Sequence, residues 1–574
     1  MYIETVPNRD SPPATLLRES YRENGKVKKR TLANLSSLPS AQIEAMRRIL
    51  KGERLVPVDE LFETVESFHH GHVLAVRTAM QRLGFTELVA SRPSRERDLV
   101  CAMVAGLLIN PSSKLALTRW WENTTLPSTF NVAGATDEDL YAAMDWLLER
   151  QLHIEKKLAG RHLSQGGLVL YDLSSSYFEG TKCPLAALGH NRDGKKGKLQ
   201  VNYGLLADAR GCPVAVSVFK GNTTDSTTLM SQIDKARTEF NLERLVIVGD
   251  RGMIGQKQIG QLKKEEGLDW ITALKSGAIG KLVKKGKIQM GLFDERNLFE
   301  LTHPDFPGER LVACRNPDLA KMREHKRQSL LAATERELEK VRRMVGKGKK
   351  GKLDGRAQIG VRVGKIINKY KVAKHFKLDI SDDKLEWSRK EETIAAEAAL
   401  DGLYVIRTSV KDSELSADAA VRSYKQLSNV ERAFRSMKTL DLEVRPIRHR
   451  LEDRVRAHIF LCMLAFYVKW HINEAWRPLL FCDEDLEAKK KRDPVVPAKR
   501  SKAALEKAHS RQLPDGRAAH SFQTLMGRMG AIVRNLCRPK EAKAKGGERA
   551  TVEIVTTPDA TQKEALRLIE AIKL

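Results

Sequence analysis

Tyr424, Glu431 and Lys438 stand seven residues apart, then seven again, in the stretch Ser423–Leu440, SYKQLSNVERAFRSMKTL. Leu427, Val430, Phe434 and Met437 recur there at helical spacing, so the stretch reads as one amphipathic helix with a buried stripe. At about 100° per residue, seven steps return to within about 20° of the start, so the three side chains line one face beside that stripe. A carboxylate between a phenol and an ammonium could hold a metal ion and a phosphate. A half-exposed helix with ordinary surface charges would carry the same residues. Two further acidic positions bear on the choice: Asp172, inside the apolar run Gly167–Leu173, and Asp250, directly after the apolar run Leu245–Val248 and Gly249.

The elements around these residues can be read from periodicity. Gly167–Leu173 is expected as a central strand, Leu199–Ala207 and Pro213–Lys220 as strands around the turn Asp208–Gly211, and Asp225 or Ser226 as the N-cap of a helix running to about Phe240. Leu245–Val248 is a buried strand, Gln256–Glu266 a helix and Leu268–Leu274 a strand. The order is strand, strand, strand, helix, strand, helix, strand, that of a ribonuclease-H-like core. In that topology the first and fourth strands are neighbours, which would bring Asp172 and Asp250 to the same place. Asp193, Asp208 and Asp225 lie in the same region and are rival ligands; Asp208 reads as a turn residue, Asp225 as a cap, and Asp193 as part of a polar loop able to meet DNA.

The rest of the chain frames that core. A net charge of +27 over 574 residues, spread along the sequence, implies a polyanionic partner, nucleic acid above all. The seven cysteines are scattered with no C-x-x-C pair, which fits a reducing cytoplasm. The N-terminus lacks a signal pattern, and the apolar run Ile459–Val468 is too short to span a bilayer, so no membrane association is expected. Residues 1–39 read as a basic β-hairpin region turning at Asn24-Gly25, and 40–165 as a helical DNA-binding or dimerisation region. The core spans 166–274 and 401–475. Asp250 and Glu431 are 181 positions apart, too far for a short connection, so 275–400 reads as an inserted basic subdomain, including a cationic loop at Gly346–Gly351. A long helix, Leu451–Glu474, should pack, 476–574 is basic and expected to be partly mobile, and 561–573 could close with a short helix. The fold class is therefore α/β, with a ribonuclease-H-like catalytic core, an inserted mixed α/β subdomain and a mainly helical N-terminal region.

YDLSSSYFEG, GDRGMIG and YKQLSNVERAFRSMK, followed by RPIRHR and RVRAHI, together resemble the DDE transposases of bacterial insertion sequences. The resemblance runs from about Gly167 to Val468 and is to the branch whose last motif is Tyr, two residues, Arg, three residues, Glu, six residues, Lys. SYRENGKVKKRTLANLSSLP resembles the start of long members. It implies catalytic metal ligands at Asp172, Asp250 and Glu431, and contacts to DNA phosphates from Tyr424 and Lys438. The family's Arg falls at Leu427 here, so Arg422, Arg432 and Arg435 are candidates to grip phosphate; Arg251 and Lys198 are further candidate DNA contacts. Relatives stack a flipped base on an aromatic from the insertion, for which Trp387 and Trp270 are candidates, although each could simply be packed.

Phosphodiester cleavage needs an activated water and a stabilised leaving 3′-oxygen, and two Mg²⁺ ions about 4 Å apart supply both. Carboxylate oxygen suits such hard cations; Mg²⁺ is expected, with Mn²⁺ as a substitute. The expected activity is cut-and-paste transposition: binding inverted-repeat ends in a synaptic homodimer, cleaving them and joining the 3′ ends to double-stranded target DNA, in the cytoplasm at the nucleoid. A structure-selective nuclease without strand transfer and a catalytically inactive DNA-binding relative are the alternatives.

Overall fold

The computed structural model describes residues 1–9, 11–53, 61–289, 292–346, 353–439, 441–485, 487, 492–496, 499–539 and 551–574. It divides into two compact units, Met1–Phe68 with Val533–Thr557, and His69–Ile532 with Pro558–Leu574. In the first, strands β1 (Tyr2–Val6), β2 (Ala14–Glu23) and β3 (Lys26–Asn34) form an antiparallel sheet, followed by helix α1 (Ser40–Leu50) and strand β4 (Phe62–His69). The hairpin turns where the sequence puts it: φ is 50° at Asn24 and 75° at Gly25, the two left-handed positions that a two-residue turn of this hand requires. Several hairpin cations are already paired, Arg18 with Glu4 at 2.9 Å and Arg30 with Glu19 at 2.9 Å.

The second unit opens with helices α2 (Gly71–Arg82), α3 (Phe85–Val89), α4 (Arg95–Ile109), α5 (Lys114–Trp121), α6 (Leu126–Thr129), α7 (Asp137–Glu149) and α8 (Gln151–His162). Strands β5 (Leu168–Tyr177), β6 (Gln200–Ala207) and β7 (Pro213–Lys220) follow, then α9 (Asp225–Thr238), β8 (Leu245–Val248), α10 (Gln256–Leu262) and β9 (Leu268–Ala273). β5, β6 and β7 pair antiparallel, β8 lies parallel to β5, and β9 parallel to β8. The order β7-β6-β5-β8-β9 is the one expected of a ribonuclease-H-like core.

Past β9 come α11 (Ser276–Lys284), β10 (Leu298–Leu301), β11 (Arg310–Arg315), α12 (Pro317–Met344), α13 (Arg356–Tyr370), β12 (Phe376–Ile380), β13 (Leu385–Arg389), α14 (Glu391–Ala398) and β14 (Leu403–Thr408). β14 pairs antiparallel with β9, β11 with β14, and β10 with β11, so the sheet has eight strands. The segment 275–400 is thus not set apart as a whole, because its first two strands lengthen the central sheet. Its later part has a small core of its own, in which Leu331 and Leu338 of α12 meet Ile359 and Val363 of α13 and Phe376 and Leu385 of the β12–β13 hairpin. The expected cationic loop at Gly346–Gly351 falls, after Gly346, outside the described residues.

Helices α15 (Ala417–Lys425), α16 (Leu427–Lys438) and α17 (Glu452–Ala475) follow. The expected single helix over Ser423–Leu440 is broken: α15 ends and α16 begins at Gln426. Val169, Tyr171, Leu173 and Ile247 point from the sheet into a core shared with α9 and α10. Leu170, Val248 and Ile271 point to the opposite face, where α16 and α17 pack. Residues 459–469 of α17 are buried on every side, and α4 and α7 pack against this helix. By length and composition α17 could cross a bilayer, but 83% of its apolar window is inside the protein. Residues 71–162 therefore share the core of the sheet, and the boundary between units falls at Phe68 and not at 39. Trp121 is fully buried and Trp120 packs against the same core.

The C-terminal region differs most from expectation. Helices Lys502–Ser510 and Phe522–Gly530, strands β15 (Val533–Pro539) and β16 (Val552–Val555) and helix Ala560–Glu570 are formed. β15 lies between β16 and β4 in a three-stranded sheet of the first unit, and the last helix is the one expected at 561–573. Of the supposed mobile stretch, residues 486, 488–491, 497–498 and 540–550 lie outside the described residues. All seven cysteines are free.

Candidate active site

The strand register brings the first two carboxylates together. Leu170 of β5 lies opposite Val248 of β8 in a parallel pair. Asp172 is two residues beyond Leu170 and Asp250 two beyond Val248. Residues two apart share a face, and neighbouring strands lie about 4.8 Å apart, so both acids project beside each other on the face covered by α16. The side chain of Asp250 is fixed by its own turn, with Gly252 and Met253 N–H donating to Oδ1 at 2.9 and 2.8 Å. Leu173 N–H donates to Oδ1 of Asp172 at 2.8 Å. Glu431 is on the exposed flank of α16, held by Val430, Phe434 and Met437 beneath it; Phe434 meets Tyr203 of β6 edge-on at 5.6 Å.

The electrostatics tie the three acids to one another. Burial pushes the Asp172 carboxyl up to about 7, and the charges of Asp250 and Glu431 push the same way, against the Leu173 N–H and the Arg192 guanidinium. Tyr424 of α15 is pushed up to about 12 by burial and by Asp250, Glu431 and Asp172, so it is a neutral hydroxyl beside the acids. Three carboxylates, two of which raise the third, offer hard oxygen donors that fit a divalent cation. The set is open, since the only group among the described residues whose ligand atoms all lie within 4.8 Å of one another is elsewhere. An ion that keeps waters and takes oxygens from a phosphate suits such a set better than one needing a closed cage. Arg251, exposed beside Asp250, and Tyr424 also line a cavity of about 360 Å³ with Tyr404, Asn316, Arg323 and Lys425.

Other expected site residues are arranged differently. The ammonium of Lys438 is 9% exposed and donates to Asp193 Oδ1 at 3.1 Å, so it is not presented to solvent for a phosphate. Asp193 also takes Arg445 at 2.5 Å, and its Oδ2 accepts Tyr177 N–H at 3.0 Å. Asp193 is therefore a buried counter-ion and not a rival ligand in a DNA-facing loop. Asp208 is the turn residue expected, accepting Arg210 and Cys212 N–H at 2.9 Å each. Asp225 is not a cap: Thr224 holds that position and Asp225 pairs with Arg192. The break at Gln426 removes Tyr424 from the face shared by Glu431 and Lys438, although it still meets the acids.

Leu427 is buried, as its place in the apolar stripe requires. Arg422 is engaged by Asp418 at 2.7 Å and by the Arg492 carbonyl at 2.6 Å, and Arg432 turns back to Asn429. Arg435 and Lys198 are exposed. Trp270 is corrected as a base-stacking candidate, because it is 2% exposed in the core under β9 and has no open ring face to offer. Trp387 is half-buried on β13 and packs edge-on against Phe376 at 6.0 Å. The residues that sequence reasoning missed are Arg192 and Arg445, which face Asp172 and Lys438. Their only signal is position, in the polar loop HNRDGKK and in RPIRHR after the helix.

The family described as the transposase DDE domain matches residues 172–468, and the N-terminal domain of the IS1634 family transposases matches residues 3–57. No curated protein matches. Among solved structures, the chain is similar to piggyBac transposase in the cryo-EM structure of its synaptic complex with hairpin DNA, at 9% identity and a TM-score of 0.33, over 80% of this chain and 79% of that one.

Proposed function

This chain belongs to the DDE transposase family, and from that premise we propose that it binds the inverted-repeat ends of its own insertion sequence, cleaves them and joins the 3′ ends to target DNA. Asp172, Asp250 and Glu431 are read as the acids that hold divalent cations, Mg²⁺ in pairs with Mn²⁺ as a substitute. Bound there, such cations acidify a water and neutralise charge on the leaving 3′-oxygen. The observation that carries the reading is the approach of three carboxylates, from β5, the end of β8 and α16, with Asp250 and Glu431 both acting to raise the Asp172 carboxyl. Tyr424, a neutral hydroxyl beside them, would donate a hydrogen bond to a phosphate oxygen, and exposed Arg251, Arg435 and Lys198 would neutralise backbone charge. Lys438 and Arg445 share Asp193 and leave one net positive charge at that point, which a phosphate could approach through the part-exposed Arg445. The working form in this reading is a synaptic homodimer, acting at the nucleoid.

The test is incubation of the purified protein with labelled end DNA, supercoiled target and Mg²⁺, resolving nicked, hairpin and joined products on a denaturing gel. Asp172→Asn, Asp250→Asn and Glu431→Gln should each abolish cleavage while retaining end binding. Cleavage at the wild-type rate by any of them overturns the site assignment. Cleavage without joined product reduces the function to that of a nuclease.

A further inference from the structure

Besides the carboxylates, three metal-ligating side chains converge from three separate elements. His162 ends α8, Cys212 follows the Asp208–Gly211 turn into β7, and His471 lies on α17. Their ligand atoms all lie within 4.8 Å of one another. Cys212 is fully buried, His471 is 7% exposed and His162 is half-buried. We propose that His162, Cys212 and His471 bind a zinc ion that joins α8, the β6–β7 turn and α17, leaving a fourth position to solvent.

The distances suit an ion. Cys212 Sγ is 3.8 Å from His471 Nε2. Zinc at about 2.3 Å from sulfur and about 2.0 Å from nitrogen, in a tetrahedron, requires a separation of about 3.5 Å, so a shift of a few tenths of an ångström closes the site. A thiol-to-imidazole hydrogen bond accounts for that pair alone and does not involve His162, whose ligand atom lies in the same cluster. One thiolate and two imidazoles are borderline-soft donors that select zinc over the Mg²⁺ suited to carboxylates. The turn is built for the cysteine. Asp208 accepts Cys212 N–H, and Gly211, at φ 87°, passes so close to Asn429 that an added Cβ would lie 2.5 Å from it. Tyr467, one turn before His471, places its hydroxyl 3.1 Å from His162 Nε2 and packs its ring 4.8 Å from that of His471, which fixes both imidazoles.

Burial above all, and then Asp208 and Glu474, push the Cys212 thiol well up against the pull of Arg210, so the ion must displace its proton; Arg161 lies against Tyr467. The group set against the ion is Arg210, whose Nη2 approaches His162 Nδ1 at 3.4 Å. That contact is long, Arg210 is exposed, and it keeps Asp208 as a partner at 2.9 Å, so it can swing away. Removing it should favour the metal.

The experiment uses the full-length, tag-free protein. Metal analysis should find about one zinc per chain, and Co²⁺ added to the stripped protein should give a sulfur-to-cobalt absorption band together with tetrahedral visible bands. Zinc should raise the thermal midpoint of wild type. His162→Ala, at a half-buried position, should fold yet lose the zinc and the midpoint rise, Cys212→Ser should lose the cobalt–sulfur band, and Arg210→Ala should bind at least as tightly as wild type. A folded wild-type protein that purifies without zinc, gives no cobalt–sulfur band and shows no midpoint rise overturns the proposal, as does full zinc occupancy in His162→Ala. None of these readouts depends on DNA cleavage, so this site and the carboxylate site can fail separately.

Discussion

Asp172→Asn should inactivate the protein and at the same time stabilise its metal-free form. In the native state the Asp172 carboxyl is pushed from 3.8 up to about 7. A raised carboxyl favours the proton-bound native state, so its stabilising effect is complete below the ordinary carboxylate range and is lost as pH rises through about 7. Above that pH the metal-free wild type keeps a charge that the fold opposes. Taken whole, that rise corresponds to about 4 kcal/mol, and partial solvation of the carboxyl reduces this to about 1–3 kcal/mol. Asparagine removes the charge, and its Oδ1 can still accept the Leu173 N–H. In EDTA at pH 8, Asp172→Asn should therefore unfold at a higher denaturant midpoint than wild type, and the gap should shrink as pH falls towards 4. Mg²⁺ should raise the wild-type midpoint and leave the variant where it was. A variant less stable than wild type in EDTA at pH 8 would refute the idea that burial, helped by the neighbouring acids, sets the fold against the Asp172 charge.

Removing Asp193 should act through the fold: Asp193→Ala leaves the buried Lys438 ammonium without its partner and should cost about 3–5 kcal/mol in a denaturant titration. Trp270→Ala should lower stability by about 3–5 kcal/mol, as expected for a buried ring, and should not selectively impair a step involving an unpaired base, as measured by unfolding beside gel-resolved cleavage. Lys198→Ala and Arg435→Ala should each weaken end binding uniformly across sequences and reduce the slope of log affinity against log salt by about 1, measured by anisotropy over a salt series.

The sequence foretold those parts of the fold whose signals are local. Leu245–Val248 and Leu403–Thr408 are short apolar runs rich in β-branched residues, and they form strands over those same residues. The core order followed, and with it the pairing of Asp172 and Asp250. What escaped was decided by distant partners. The run of helices at 71–162 was visible, but not that α4 and α7 would pack on α17, because an apolar stripe does not name what covers it. The break at Gln426 has no proline or glycine to mark it. Lys438 has the spacing of a phosphate contact, and its occupation by Asp193 depends on a loop 245 residues earlier. The Lys- and Arg-rich C-terminal region looked unable to fold because its apolar residues are few, yet Leu525, Met526 and Met529 are buried against the core.

The placement of β15 next to β4 has a consequence for how the protein is made. About 470 residues separate the two strands, so at roughly 5–20 residues per second a ribosome needs about 25 to 95 s between synthesising one and the other. During that interval the three-stranded sheet of the first unit cannot close, and β4 offers a bare edge to any passing strand. Only a nearly finished polypeptide can complete it, and a product that terminates before Val533 never will.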